Sequence, residues 1–391
     1  MKNRYLQLDA LRGLAAAIVL LGHVYAVHAE HSTWETLLFD SPFSPFAFLL
    51  NGHAAVIFFF VLSGFVLSLP ILGSRKVAYG SYIVKRFFRI YVPYIISIAA
   101  AIPLLAFAPK FQSDLFAPAY NANWTHSLTA KEIVNHAIAI GPFRTVDLNG
   151  VIWTLVHEMR ISIVFPFVVL ILMARKWGAT LMALPALSVL SALTISYAHI
   201  NAGDTLHYLC FFILGMLIAK YKSELIDFIG RRLAHIRWAL WIAGFVVYNY
   251  SYFVAKSLAG VQATFPYGWM AGDYLYAVGV CALLVLSLSS PRATFWLTRK
   301  TPVFLGKISF SLYLYHFLIL LSFMHYFYGR ASFYLLLPSA VAISFAAGYL
   351  GYKFIELPSI ELGRRIAGKF NGGTKNRVRL RNDGKENQAA V

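Results

Sequence analysis

Residues 11–23 read LRGLAAAIVLLGH, an apolar run with a basic residue near its start and a histidine at its end. Arg12 and His23 are eleven residues apart. At helical pitch that separation is three turns plus about 20°, so both side chains fall on one helix face. Along the axis they stand about 16 Å apart. Ionisable groups so placed in an apolar helix are costly unless something uses them.

The rest of the chain has the same character. Of its 391 residues 59% are hydrophobic and 13% charged, and the mean hydropathy is +0.65. Apolar runs of about 20 residues recur throughout, long enough to cross a bilayer as helices. The expected fold is an all-α integral membrane protein of about ten transmembrane helices, at 10–28, 46–72, 87–108, 148–173, 179–199, 205–221, 236–255, 270–289, 304–328 and 332–354. These form one membrane domain over 1–363, and 364–391 reads as a basic, disordered, lipid-facing tail.

The net charge of +18 does not point to nucleic acid, because the basic residues sit at the ends of apolar segments. With the N-terminus cytoplasmic, the inner segments carry Lys2, Arg4, Arg75, Lys76, Lys85, Arg86, Arg175, Lys176, Lys220, Lys222, Arg231, Arg232, Arg292, Arg299, Lys300 and the tail. The outer ones carry only Lys110, Lys131, Arg144, Lys256 and Arg330. This bias sets both termini inside. Val27-His28-Ala29 resembles a signal-peptidase site, but Asp9 and Arg12 crowd the start of the apolar core and favour a retained first span. Cys210 and Cys281 fit neither a disulfide framework nor a metal site.

Polar residues inside the spans are the candidates for function. His23 has the ordinary acidity of a general base near neutral pH. Arg86 and Arg89, with Lys85, form a basic cluster in KRFFRIYVPY. It suits phosphate through the bidentate guanidinium fork, or equally an anchor with Tyr91 and Tyr94 at the interface. In GVIWTLVHEMRISIVFP, Thr154, Glu158 and Ser162 form a stripe facing the bundle interior. Glu158 then needs a histidine or arginine of another span. Ser309, Tyr313 and His316 form a second stripe in GKISFSLYLYHFLI. No nucleophile elbow, phosphate loop or metal-ligand spacing is present, and His28, His31, His53, His126 and His136 look scattered near the outer surface. A 109–147 outer loop carries the helical-looking KEIVNHAIA, and 222–235 reads as an interfacial connector.

Taken in order, LDALRGLAAAIVLLGH, FFFVLSGFVLS (58–68), KRFFRIYVPY (85–94), DLNGVIWTLVHE (147–158), LGKISFSLYLYH (305–316) and FIELP (354–358) resemble the acyltransferase-3 family of membrane O-acyltransferases. The resemblance implies a multi-pass enzyme of the bacterial inner membrane, of the stand-alone form without a fused hydrolase-like domain. It would move an acyl group, acetyl first, from cytoplasmic acyl-CoA to a hydroxyl of an extracytoplasmic glycan or glycoside, without metal. It implies an essential His23 in an Arg-x10-His signature with Arg12, CoA phosphates at Arg86 and Arg89, and a role for Glu158 after Trp153. In the expected mechanism Glu158 or Asp9 orients His23, with Glu158 the nearer, and Arg12 assists in holding CoA. Glu158 is followed here by Met-Arg and preceded by His157, a departure from the family's acidic pattern. A polytopic transporter of a glycan or organic anion is the alternative reading of the buried polar stripes.

Overall fold

The computed structural model describes residues 5–41, 44–73, 78–109, 112–139, 143–198, 203–260 and 267–370. Ten long helices carry the chain: α1 Leu6–Tyr25, α2 Gly52–Leu72, α3 Tyr79–Phe107, α4 Trp153–Leu172, α5 Trp177–Ala198, α6 Gly203–Lys220, α7 Arg237–Gly260, α8 Gly268–Ser289, α9 Lys300–Phe327 and α10 Phe333–Gly351. Among the described residues nine helices are long and apolar enough to cross a membrane. The tenth expected span, α7, is a helix of 24 residues whose Asn249, Ser251 and Lys256 dilute its apolar character. Large apolar side chains such as Ile163, Phe167, Leu170, Met182, Val189, Ile242 and Leu335 face outward. A surface of that kind suits lipid and not water.

Packing sorts the helices into a ring and its supports. α1 packs on α2, α2 on α4, α4 on α3, α3 on α9, and α9 back on α1. α6 and α8 back α2, while α5, α7 and α10 lie outside α6, α8 and α9. The ring closes through small residues, which let membrane helices approach closely. A Cβ on Gly306 would lie 2.3 Å from the Asp9 carbonyl oxygen, and one on Gly13 would lie 2.4 Å from the Gly306 nitrogen. α1 and α9 run parallel, so residues equally far beyond these glycines face each other. Ten residues on from Gly13 is His23, and ten on from Gly306 is His316. Gly306→Ala is therefore expected to force the pair apart at a cost of about 1–3 kcal/mol, read as a lower melting temperature; an unchanged one would contradict this register.

Several boundaries differ from the sequence expectation. α3 starts at Tyr79 and not at residue 87. Arg86 and Arg89 thus lie about 10–15 Å inside the helix and not at its mouth. Hydropathy stops short there because the charged side chains turn inward to a cavity while Phe87 faces outward. At the C-terminus α10 continues through a π-helical turn over Tyr352–Glu356 and runs helical to 370. Residues 364–370 of the expected tail are therefore helical, with Ala367 buried and Gly363 packed on Phe88. Residues 371–391, and Lys2, Arg4, Arg75, Lys76 and Lys110 from the charge pattern, lie outside the described residues.

The expected outer loop is sunk between the upper halves of α3 and α9. The helix foreseen in KEIVNHAIA forms over Ala130–Ile138, opened by a capping box between Thr129 and Glu132. Those hydrogen bonds hold the Glu132 carboxyl below its usual acidity range. Tyr91 and Tyr94 donate to the carbonyls of Ala137 and His136, each at 2.7 Å. Trp124, buried and in the left-handed region at φ 55°, donates to the Leu148 carbonyl at 3.0 Å. Tyr91 and Tyr94 therefore tie the loop down, a role different from the interfacial belt read from KRFFRIYVPY.

Candidate active site

The ring of α1, α2, α3, α4 and α9, with the helical continuation of α10 over 352–364, encloses a cavity of about 670 Å³, within the usual range for small-molecule sites. Its walls carry five basic side chains, Arg12, Arg86, Arg89, Lys307 and Arg364, against the three carboxylates Asp9, Glu158 and Glu356. Thr154 and Tyr313 line it as well.

Arg86 is committed within the wall. Its Nη2 donates to Glu158 Oε1 at 2.7 Å and to Ser162 Oγ at 2.9 Å, and its Nε donates to Ser162 Oγ at 3.2 Å. Ser63, from FFVLSGF, donates to the same Glu158 oxygen at 3.2 Å. Gly64 beside it sits where a Cβ would lie 2.0 Å from the Phe212 carbonyl, so α2 can press on α6 while Ser63 reaches the cavity. The expected arginine partner of Glu158 is thus Arg86. His157 turns the other way, its Nδ1 2.9 Å from Thr205 Oγ1 on α6. Glu158→Gln keeps the shape and removes the charge that holds Arg86. It is expected to cost about 1–3 kcal/mol of stability in a thermal melt; an unchanged melting point would count against this assignment.

Arg89 has a different setting. It lines the cavity, and no hydrogen bond or ion pair engages it among the described residues. Its neighbours by charge are Arg12, Glu356 and Arg86. Buried Glu356 accepts from Ser311 Oγ at 2.9 Å. Arg12 is paired loosely with Asp9, at 3.9 Å.

Beyond Tyr313 stand two histidines. His23 Nδ1 lies 3.0 Å from His316 Nε2, and the ring centroids are 5.2 Å apart. His316 is fully buried, with its Nδ1 2.8 Å from the Tyr313 carbonyl and 3.0 Å from that of Leu312. Those carbonyls can only accept, so His316 Nδ1 carries its proton and Nε2 is left as an acceptor. His23 Nδ1 must then donate to it; the His23 ring also meets the Val19 backbone, and in this tautomer Nε2 is the ring's acceptor. The Tyr313 hydroxyl is fixed by Thr154 Oγ1 at 2.8 Å and the Val151 carbonyl at 3.1 Å. Among the described residues neither Glu158 nor Asp9 hydrogen-bonds to His23, whose side-chain partner is His316.

Other sequence candidates separate. His136 is buried, with both ring nitrogens on backbone carbonyls. His53 joins Asp273 and His207 in a cluster the sequence did not reveal. The pairs span 220 and 66 residues, beyond the reach of any helical period. Among the described residues no group of three His, Cys, Asp or Glu side chains is placed to hold a metal ion.

Proteins of Staphylococcus aureus strains COL and MW2, each named "Putative O-acetyltransferase", are 24% identical over 399 residues, covering 91% of this chain. The chain spans 58% of the length of these relatives. No solved structure matches. The family model described as an acyltransferase domain matches residues 5–352, which takes in the five ring helices and both histidines, while Glu356 and Arg364 of the cavity wall lie beyond it. The chain belongs to the acyltransferase-3 family of membrane acyltransferases.

Proposed function

We propose that the chain transfers an acyl group, acetyl first among them, from acyl-CoA to a hydroxyl of a glycan or glycoside. The observation that carries this reading is the hydrogen-bonded pair of His23 and His316, which stands behind Tyr313 in the wall of a cation-lined cavity. CoA phosphates would meet Arg89 and Arg12, with Arg86 held as a fixed wall by Glu158. Arginine favours phosphate because its fork donates two hydrogen bonds at once. The pantetheine arm would then run along the cavity past Ser309 toward Thr154 and Tyr313.

His23 Nε2 takes the proton of the acceptor hydroxyl as its oxygen attacks the thioester carbonyl. The new C–O bond forms, the C–S bond breaks, and the CoA thiolate leaves with that proton, restoring neutral His23. While His23 is charged, its Nδ1–H points at His316 Nε2, whose own proton is anchored on two carbonyls. This keeps the tautomer and angle of His23 fixed through the cycle. General-base assistance of this kind contributes about 10²–10⁴-fold, and holding both substrates in place adds to it. The cationic end of the cavity would face the cytoplasm, as the lysine and arginine bias of the sequence requires, in the inner membrane of a bacterium.

The test is to incubate solubilised membranes containing the protein with acetyl-labelled acetyl-CoA. Label is expected in an alkali-labile ester on glycan. Absence of such ester in membranes that hold folded protein would contradict the reading.

A further inference from the structure

A second histidine cluster lies in the bundle, and the chemistry at His23 leaves it unused. His53 Nε2 is 2.6 Å from Asp273 Oδ1, and His207 Nε2 is 3.2 Å from Asp273 Oδ2. The Asp273 and His207 side chains are 2% and 0% exposed. Behind them His207 Nδ1 meets Ser188 Oγ at 2.8 Å, and Ser188 Oγ meets the Tyr274 hydroxyl at 2.7 Å.

The donors and acceptors run one way. The carboxylate accepts an N–H from each imidazole, so His207 Nδ1 accepts from Ser188, and Ser188 accepts from Tyr274. Everything behind Asp273 is thereby satisfied. His53 Nδ1 is the one end left over: it has no partner among the described residues, and the His53 side chain is 40% exposed. An ion pair serving only to hold α2 to α8 would not need to leave a ring nitrogen without a partner.

The surroundings of that nitrogen are aromatic. The Trp153 ring lies nearly parallel to the His53 ring, 15° apart with centroids at 6.3 Å, and Tyr276 is at 5.4 Å. Depth in the bundle also matches. A Cβ on Gly52 would lie 3.7 Å from Val19 Cα, and one on Gly22 would lie 3.2 Å from the Leu50 carbonyl. The start of α2 therefore runs beside the last turns of α1, which puts His53 at the level of His23. Trp153 is adjacent in sequence to Thr154, which binds Tyr313 in the cavity wall.

We propose that His53 and Trp153 form the acceptor subsite, taking a hydroxyl-rich ring of the pyranose type. His53 Nδ1 accepts a hydrogen bond from one ring hydroxyl, and the indole covers the C–H face of the ring, as amphipathic aromatics do. Asp273 and His207 are positioning residues that fix the tautomer and angle of His53. A carboxylate behind the imidazole disfavours an anionic ligand and favours a neutral donor of O–H. The proposal rests on the acyltransferase reading and adds the seat of its acceptor.

The test uses solubilised protein, acetyl-labelled acetyl-CoA and graded amounts of envelope glycan extracted from the same cells. His53→Gln and Trp153→Leu are each expected to raise the acceptor KM by about tenfold, with kcat and CoA affinity close to wild type. Wild-type acceptor KM in both variants would overturn the proposal. A parallel loss of CoA affinity and transfer in both would overturn it too, because it would mark a structural role. No ester formed by wild-type protein would instead bring down the acyltransferase reading beneath it.

Discussion

His23→Gln is expected to lower acyl transfer by about a thousandfold while leaving CoA affinity unchanged. Glutamine approximates the reach of the ring but cannot take a proton from a hydroxyl near neutral pH. In the proposed mode the donor meets Arg12 and Arg89, which line the cavity, so binding should survive. His316→Phe is the informative companion. It deprives His23 Nδ1 of its acceptor at 3.0 Å but leaves the base in place, and should cost only about tenfold to a hundredfold. Initial rates and calorimetric CoA titration on both variants check this. An equal fall in rate and affinity for His23→Gln would make His23 a ligand or packing residue. A His316→Phe defect as deep as that of His23→Gln would remove the distinction between base and orienter.

The second large effect concerns Arg89→Ala. An unengaged guanidinium in a cavity wall is ready for an anion, and a charge-assisted bond to phosphate is worth about 1.5–3 kcal/mol. CoA affinity should fall by about tenfold to a hundredfold, with the remaining affinity weakening further as salt is raised. Arg86→Ala should divide its effects differently. It strands Glu158, whose side chain is 19% exposed, and removing one partner of a buried pair costs up to about 3–5 kcal/mol. Its larger signature is a lower melting temperature. Calorimetry and thermal melts on the two variants separate the roles, and unchanged CoA affinity in Arg89→Ala would remove the phosphate assignment.

The helices were legible in the sequence because each apolar run is long and lipid asks only for length and hydropathy. The shared face of Arg12 and His23 was legible for a similar local reason, the helical period. Where charge and helix overlap, the reading failed: α3 begins at Tyr79, ahead of Arg86 and Arg89, because those cations face a cavity that hydropathy cannot register. Partnerships were the least visible. His316 stands opposite His23 only because Gly13 and Gly306 bring α1 and α9 together in parallel, a contact between residues 293 apart. Glu158 was expected to need a cation or a histidine, and local spacing could not choose Arg86 over His23. His53 looked like one of several outer histidines until the fold set it against Asp273.

In the proposed reaction the acyl group crosses the bundle, from a donor at the cationic end to an acceptor at the other. The most direct measurement compares sealed inverted and sealed right-side-out membrane vesicles, each given acetyl-labelled acetyl-CoA on the outside only. Ester formation on glycan is predicted in inverted vesicles, where the cationic end meets the donor, and not in right-side-out ones until they are permeabilised. Equal labelling in both sealed preparations, or labelling confined to the right-side-out vesicles, would contradict the account.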